Sequence, residues 1–162
     1  MVSCVFPGSF DPVTKGHLDL ISRAASLFDH VTVTVMANIS KKGAIDPDSR
    51  VSLLRRACCR FSNVSVESWS GLLAEYMREK NEKIVIRGLR NGTELEHEML
   101  SAAAGRLLND GYEVVFLPSD PSLTGVSSSA VREIAAFGGD ISAFVPESVT
   151  EEISALLSNK KQ

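Results

Sequence analysis

The sequence is poor in cysteine and has no long apolar run, and each shortage excludes a class of protein. Its three cysteines stand at positions 4, 58 and 59. Adjacent cysteines suit neither an ordinary disulfide nor the spaced pairs of a zinc site, so we expect three reduced thiols. No stretch approaches the roughly 20 apolar residues that cross a bilayer, and no basic leader precedes an apolar core. We therefore expect a cytoplasmic protein with no membrane partner.

Positive charge is also in short supply. Lysine and arginine together number 17 against 20 acidic residues, which gives a formal net charge of −3. Broad binding to nucleic acid needs a basic face, so we expect no nucleic-acid partner. The chain has 162 residues, of which 44% are apolar, and we expect one domain spanning 1–162 that buries most of them. A site for an anion must then depend on a few nearby groups, because the chain has no general excess of positive charge.

What the chain does contain is a regular alternation of strand-like and helix-like patterns, without repeats or a long linker. Strands are predicted at 4–6, 31–37, 63–67, 83–86 and 112–117. Helices are predicted from Leu18, from Pro47, over 71–80, for about 16 residues from Thr93, over 127–137 and at about 146–158. Parallel neighbours need crossover connections, so this order predicts an α/β fold with a doubly wound, parallel, five-stranded sheet. The alternating Val and Thr at 31–35 oppose it, because they are typical of a strand with one polar face.

Four loops rich in glycine, hydroxyl and basic residues follow predicted strands. They are GSFDPVTKGH at 8–17, NISKKG at 38–43, RGLRNG at 87–92 and SLTGVSSSAVR at 122–132. In such sheets ligands bind beyond the carboxyl ends of the strands, so the loops converge on one crevice. The first loop matches neither the Walker A motif nor G-x-G-x-x-G. It carries His17 to the start of a helix, where backbone N–H groups and the helix dipole favour an anion.

Several of these residues have structural alternatives that the sequence leaves open. His17 could be a helix-terminal histidine bonded to a neighbouring carbonyl, and Asp11 is more often a turn residue than a metal ligand. Lys41 could belong to a solvated loop. The arginines of RGLR could form exposed ion pairs with glutamates of the next helix: Glu94, Glu96 and Glu98. Three apolar residues also have two possible roles: they could pack in the core, or they could line a channel for an apolar or thiol tail. They are Trp69, Leu72 and Leu73.

The motif Thr14-Lys15-Gly16-His17 and the distal GVSSSAVR together resemble the nucleotidyltransferase superfamily, which is marked by (H/T)xGH and (I/V)SSS. The threonine of TxGH, the lysine pair after the second strand and RGLR after the fourth are similar to phosphopantetheine adenylyltransferases over essentially the whole chain. This resemblance implies a Rossmann-like fold and transfer of AMP from ATP to 4′-phosphopantetheine in coenzyme A biosynthesis. It also implies Mg²⁺ carried on ATP, no protein metal site, and a homohexamer subject to feedback by coenzyme A.

The resemblance further implies a set of site residues. His17 would stabilise the transition state, and Lys41 and Arg90 would be further catalytic groups. The residues that bind the acceptor would be Ser9, Lys41, Leu73 and Arg87. The residues that bind ATP would come from the first, third and fourth loops and the helix after the third: Ser9, Phe10, His17, Gly88, Leu89, Arg90, Glu98, Leu123, Thr124, Gly125, Val126, Ser127, Ser128 and Ser129.

The implied reaction needs little from the protein beyond positioning and charge. A phosphate monoester has its second pKa near 6, so at neutral pH the acceptor is an anionic nucleophile that needs no general base. As it attacks the α-phosphorus and pyrophosphate leaves, negative charge grows on the nonbridging and leaving oxygens. Donors aimed at those oxygens supply the catalysis. A ring nitrogen of His17 and the charges of Lys41, Arg87 and Arg90 suit that task.

Three positions depart from the family pattern. Ser9 stands where Thr is common, His97 where Tyr is usual and Gly105 where Asn is usual. The last two lie on the helix expected to border the pantetheine arm, so they bear on arm contacts and feedback. Two other functions stay open: transfer to another phosphorylated acceptor, such as nicotinate mononucleotide or glycerol phosphate, and nucleotide sensing without turnover. Thr14 opposes the first, since those relatives usually carry HxGH.

Overall fold

The computed structural model describes residues 1–37 and 43–158. Within them one parallel sheet contains β1 (Ser3–Gly8), β2 (His30–Met36), β3 (Val64–Trp69), β4 (Ile84–Leu89) and β5 (Glu113–Pro118), in the order β3-β2-β1-β4-β5. The helices are α1 (Lys15–Leu27), α2 (Pro47–Ala57), α3 (Leu73–Glu79), α4 (Gly92–Leu108), α5 (Ser128–Ala136) and α6 (Thr150–Ser158). The predicted doubly wound parallel sheet is confirmed. Of the helices described, none has the length and apolar character that crossing a membrane requires.

The Val and Thr alternation of β2 does not produce a polar face. Val31, Val33 and Val35 are buried on one side of the sheet, and Thr32 and Thr34 are buried on the other. The methyl group of a threonine packs on a pleated surface much as valine does. The pattern that opposed a parallel sheet is therefore compatible with a strand covered on both faces.

Helix α1 begins earlier than the apolar spacing predicted. It starts at Lys15 rather than Leu18, because Thr14 caps it and its Oγ1 accepts a hydrogen bond from the N–H of His17 at 3.3 Å. His17 is thus the third residue of the helix and lies inside its first turn. At the other end of the chain, the helix predicted at 146–158 is a 3₁₀ turn over Glu147–Val149 followed by α6.

Strand β4 is longer than predicted. It continues beyond Ile86 to Leu89, because its last three residues pair with Phe116, Leu117 and Pro118 of β5. Arg87, Gly88 and Leu89 therefore lie in a strand, where the sequence had suggested a loop. This matters for the site because a strand fixes the direction in which each side chain points.

The two central strands separate towards their carboxyl ends. β1 and β4 are neighbours where the chain order reverses, and they pair at Val5 and Val85. Further along, Nη1 of Arg87 donates a hydrogen bond to the carbonyl oxygen of Pro7 at 2.9 Å. The guanidinium of Arg87 thus takes the place of a backbone N–H of β4 as the donor to this carbonyl. Without direct backbone pairing at this end, the two strands leave a crevice between them.

Apolar side chains cover both faces of the sheet. The larger cluster contains residues of α1, α2, α5 and α6, and the smaller one joins β1, β4 and α3 around Tyr76 and Met77. The cysteines are free thiols, as predicted. Helix α4 differs from the others because none of its residues is buried, and four of its apolar side chains are more than half exposed. These are Met99, Leu100, Leu107 and Leu108.

Candidate active site

A cavity of about 420 Å³ lies between the carboxyl ends of β1 and β4. It collects most of the residues predicted for catalysis and ATP binding: Ser9, Phe10, His17, Gly88, Arg90, Glu98, Leu123, Val126, Ser127, Ser128 and Ser129. The other predicted ATP ligands, Leu89, Thr124 and Gly125, do not line it. Lys41 lies outside the described residues. We call this the polar cavity.

The imidazole of His17 is held in one orientation by Thr14. The backbone N–H of Thr14 donates to Nδ1 at 3.1 Å, while the backbone N–H of His17 donates to Thr14 Oγ1. This reciprocal pair satisfies two backbone donors at the helix start. Because Nδ1 accepts a hydrogen bond, the proton of the neutral ring resides on Nε2. The sequence left open that His17 is a helix-terminal histidine bonded to a neighbouring carbonyl. It does bond to the backbone at the helix start, but its ring accepts from an N–H group instead of donating to a carbonyl.

His17 is uncharged at neutral pH. The loss of solvation on burial, together with the positive charges of Arg90 and Arg87, lowers the pKa of His17 to about 4. Burial and like charge both disfavour the imidazolium form. With Nδ1 engaged and the ring neutral, His17 offers a hydrogen-bond donor at Nε2.

Phe10 supports the imidazole from the side. Its ring is buried edge-on against that of His17, with centroids 5.0 Å apart, and against Phe6. The backbone of Phe10 has a φ of 46°, which lies in the left-handed region. Gly8 leaves room for the ring, because a Cβ there would lie 3.0 Å from it. The loop conformation and the position of His17 are thus coupled through Phe10.

Asp11 ties the first loop to the segment that follows β2. Its two carboxylate oxygens accept hydrogen bonds from the N–H groups of Ala44 and Ile45 at 2.7 and 2.8 Å. The buried side chain of Arg50 adds a second tie, since its Nη1 donates to the carbonyl of Ser9 at 2.8 Å. Asp11 therefore joins two loops of the site. Both of its carboxylate oxygens are engaged by backbone N–H groups, so it is more than a turn residue and is not an unpaired carboxylate available to a metal ion.

Helix α5 fastens the same loop from the opposite side. Nη1 of Arg132 donates to the carbonyl of Asp11 at 2.5 Å, and the hydroxyl of Ser128 donates to the carbonyl of Pro12 at 2.7 Å. Ser127 caps the helix, because its Oγ accepts from the N–H of Ala130. Two serines of the predicted cluster, Ser127 and Ser128, thus help to hold the helix and the first loop in place. The N-terminus of α5 lies at the polar cavity.

Arg87 and Glu98 form a part-buried pair at the edge of the polar cavity. Nε and Nη2 of Arg87 donate to the two carboxylate oxygens at 2.7 and 2.5 Å. The sequence had assigned Arg87 to the acceptor and Glu98 to ATP, and the structure brings them together as partners. Arg90 is paired as well, with Glu94 Oε1 at 2.5 Å. The ion pairs with the following helix that the sequence left open are therefore present.

A second cavity of about 420 Å³ lies on the far side of the Arg87–Glu98 pair. The two cavities share Pro7, Arg87 and Glu98, and the second is walled mainly by apolar residues of α3, α4 and the sheet. Leu73, predicted to bind the acceptor, lines it together with Leu72. Trp69 instead packs on Tyr76 in the core, with ring centroids 5.5 Å apart. We call this second space the apolar cavity.

Some residues that line the polar cavity were not predicted as site residues. Among them are Glu94, His97, Ser119 and Arg132. Arg132 had the clearest signal, because it lies one turn inside the helix that the serine run opens, and its Nη2 donates to Ser129 Oγ at 3.0 Å. His97 had been noted only as a departure from a family pattern. With Arg87 and Arg90, Arg132 gives the polar cavity three guanidinium groups.

Comparison with known proteins identifies close relatives. The sequence matches the family model described as cytidylyltransferase-like over residues 5–134. It is 43% identical over 155 residues to a phosphopantetheine adenylyltransferase of Clostridium perfringens, covering 96% of this chain and 94% of that one. It is 40% identical over 162 residues to one of Clostridium botulinum, covering 100% and 99%. A solved structure from Vibrio parahaemolyticus, proposed to be a nicotinate-nucleotide adenylyltransferase, shares the fold with a TM-score of 0.63 at 18% identity, over 98% of this chain and 93% of that chain.

Proposed function

Because the chain belongs to the phosphopantetheine adenylyltransferase family, we propose that the polar cavity is its ATP site and the apolar cavity its acceptor site. The enzyme transfers the AMP moiety of ATP to 4′-phosphopantetheine, releasing dephospho-coenzyme A and pyrophosphate. This reaction is a step of coenzyme A biosynthesis. The observation that carries the assignment of the cavities is the arrangement of His17, whose Nε2–H donor is fixed by Thr14 in a cavity with three arginines.

We assign to His17 the stabilisation of the transition state. An oxygen of the acceptor phosphate forms a bond to the α-phosphorus of ATP, the bond from that phosphorus to the bridging oxygen breaks, and pyrophosphate leaves with the electron pair. Negative charge grows on the α-phosphate and on the leaving oxygen. A neutral donor already held in place strengthens its hydrogen bond to such an oxygen without reorganising. His17 has both properties.

Positive charge and backbone donors complete the proposed ATP site. Arg90 uses one guanidinium nitrogen to bond Glu94, and a guanidinium has further donors for a phosphate. Helix α5 contributes N–H groups of its first turn, which lack partners within the helix and favour an anion. We propose Lys41 as a further catalytic cation from the sequence resemblance. The ATP ligands are proposed to be those named from the sequence.

The acceptor is proposed to span both cavities. Arg87 stands in the wall that they share, so it can meet the phosphate of an acceptor whose tail lies along Leu73 in the apolar cavity. Ser9 is on the polar side of that wall, and Lys41 is proposed to bind the same phosphate. A dianionic phosphate carries more negative charge than the single carboxylate of Glu98, and it can accept the same paired N–H bonds from a guanidinium. We therefore expect the acceptor to share or replace Glu98 as the partner of Arg87.

The described part of the chain offers no cluster of side chains suited to a metal ion. Within 1–37 and 43–158 there is no group of three or more His, Cys, Asp or Glu that could coordinate one. The carboxylates that line the polar cavity, Glu94 and Glu98, are each bonded to an arginine. We propose that Mg²⁺ binds with ATP as a complex of its triphosphate, where it would offset phosphate charge.

The apolar surface of α4 supports self-association. Met99, Leu100, Leu107 and Leu108 are exposed on a helix that buries no residue, and such surfaces are commonly covered by another chain. We propose a homo-oligomer, a homohexamer by family resemblance. We further propose that residues 1–162 form one nucleotidyltransferase domain that acts in the cytoplasm without a nucleic-acid or membrane partner.

One assay tests the substrate pair and the proposed alternatives together. The protein is incubated with MgATP and one acceptor, and pyrophosphate is measured over time. Steady release is expected with 4′-phosphopantetheine and little with nicotinate mononucleotide or glycerol phosphate. Release with one of these other acceptors alone would contradict the acceptor assignment, and ATP binding without any release would favour a sensor.

A matched pair of variants tests the role of Arg87. Arg87→Ala should raise the KM for 4′-phosphopantetheine at least tenfold, because a charged hydrogen-bonding partner of the phosphate is lost. Arg106→Ala removes another arginine paired with a glutamate, Glu113, on the exposed surface, and should leave that KM unchanged. Equal KM values for both variants would contradict the proposed acceptor site.

A further inference from the structure

Tyr112 brings a hydroxyl group into the apolar cavity. The residue immediately precedes β5 and is only 4% exposed. Its ring packs in the smaller hydrophobic cluster with Val5, Met77 and Val85, so the direction of the side chain is set by the core. The same residue lines the cavity beside Leu73. The proposed function does not use this hydroxyl.

The hydroxyl of Tyr112 is available to a ligand. In the part of the chain that the structure describes, it has no hydrogen-bond partner. Among the described residues, the fully buried polar side-chain atoms without a partner are Thr34 Oγ1, Arg50 Nε and Trp69 Nε1. The Tyr112 oxygen also lacks a partner but is not one of these fully buried atoms, so it is accessible from the cavity that Tyr112 lines. Hydroxyls of buried tyrosines usually find a partner. Burial raises the pKa of Tyr112, which keeps its proton in place as a donor.

Gly105 of α4 makes this position of the hydroxyl possible. A Cβ at residue 105 would lie 2.3 Å from the oxygen of Tyr112 and 3.5 Å from its Cζ. Any side chain at that position would therefore displace the hydroxyl while leaving the ring in ordinary contact. Glycine is an unfavourable residue in the interior of a helix, so helix propensity does not explain why residue 105 of α4 is a glycine. Gly105 is also one of the departures from the family pattern noted above.

We propose that Tyr112 is a specificity-determining residue for the acceptor, with its hydroxyl donating a hydrogen bond to an amide carbonyl of the acceptor's arm in space that Gly105 keeps open. The inference rests on the proposed function, because it needs the arm to lie in the apolar cavity. The arm of 4′-phosphopantetheine carries two amides on an otherwise largely apolar chain. A mainly apolar cavity orients such a chain through the few polar groups in its wall.

The first test removes the hydroxyl and nothing else. Tyr112→Phe is assayed for pyrophosphate release while 4′-phosphopantetheine and MgATP are varied in turn. The KM for 4′-phosphopantetheine should rise about 5- to 10-fold, as expected for one lost hydrogen bond, while the KM for ATP and kcat stay within twofold. An unchanged KM for the acceptor, or equal rises for both substrates, would overturn the proposal. Failure of the unaltered enzyme to use 4′-phosphopantetheine would instead overturn the proposed function.

The second test uses the coupling between the two residues. Gly105→Ala should raise the same KM by displacing the hydroxyl. In the Tyr112→Phe background it should add little, because the nearest atom is then Cζ at 3.5 Å. Effects of the two substitutions that simply multiply would mean that Gly105 acts independently of the hydroxyl, and would overturn the proposed pairing.

Discussion

Replacing His17 by alanine removes two interactions that have different consequences. The first is the Nε2–H donor at the polar cavity. A preorganised donor to a developing oxyanion accounts for about 10²- to 10³-fold in kcat, or roughly 3–4 kcal/mol of the barrier. We therefore expect kcat to fall at least about a hundredfold, with a smaller effect on the KM for ATP, since the donor acts most strongly on charge that develops in the transition state.

The second interaction concerns stability. Nδ1 of His17 accepts the backbone N–H of Thr14 at 3.1 Å, and alanine leaves that N–H without its partner in the capping pair. Loss of such a cap costs about 1 kcal/mol. For a chain of this size the melting temperature should fall by roughly 2–4 °C. A folded variant with a large loss of turnover separates the two roles.

His30→Ala is the matched control. His30 begins β2, does not line either cavity, and its Nε2 is bonded to Ser65 Oγ at 2.9 Å. The assay is steady-state pyrophosphate release at 25 °C, below both melting temperatures. His30→Ala should leave kcat unchanged. A loss of less than about tenfold for His17→Ala, or an equal loss in the control, would refute the assignment of His17.

Two further predictions follow from the same geometry. Gly88→Ala should lower both the melting temperature and kcat, because a Cβ there would lie 2.2 Å from Cδ1 of Leu20 and force that buried side chain out of its position beside the cavity. Gly92→Ala, with nothing within 4 Å, should change neither quantity; thermal denaturation and turnover of the two variants decide this. The free energy of unfolding should decrease as pH falls from 6.5 towards 4, because the pKa of His17 is about 4 in the folded protein and the unfolded chain binds the proton first. A pKa lowered from 6.5 to about 4 corresponds to a loss of roughly 3 kcal/mol by pH 4. Chemical denaturation of His17→Ala should show a shallower pH dependence, and an identical dependence would contradict the lowered pKa.

The sheet and the convergence of the first, third and fourth loops could be predicted because they depend on local patterns. Alternating strands and helices determine a parallel sheet, and the carboxyl ends of its strands meet at one edge. The sequence pattern alone therefore predicts that His17, Arg90 and the serines of α5 share one cavity, as they do in the structure. The pattern was less accurate at element boundaries. Thr14 extended α1 through a side-chain cap, and pairing with β5 extended β4, neither of which an apolar repeat reports.

The partners of individual side chains were harder to predict, since they depend on distances between elements. Arg87 and Glu98 were assigned to different ligands, and an ion pair between them was left open only as an exposed one. The direction of β4 and the position of α4 make it a part-buried, bidentate pair. Asp11 has its partners more than thirty residues away, at Ala44 and Ile45. The hydroxyl of Tyr112 could not be found either, because the sequence shows only an aromatic residue at the start of a predicted strand.

We infer that His17 meets the reacting phosphates as a neutral ring with its proton on Nε2. NMR of protein with ¹⁵N-labelled histidine tests it directly, with His17→Ala used to assign the signals of that ring. We predict an unprotonated Nδ1, a protonated Nε2, and no titration of His17 between pH 5.5 and 8, as its pKa of about 4 requires. A proton on Nδ1, or a titration midpoint near the ordinary histidine pKa of about 6.5, would contradict the proposed role of His17 as a neutral donor.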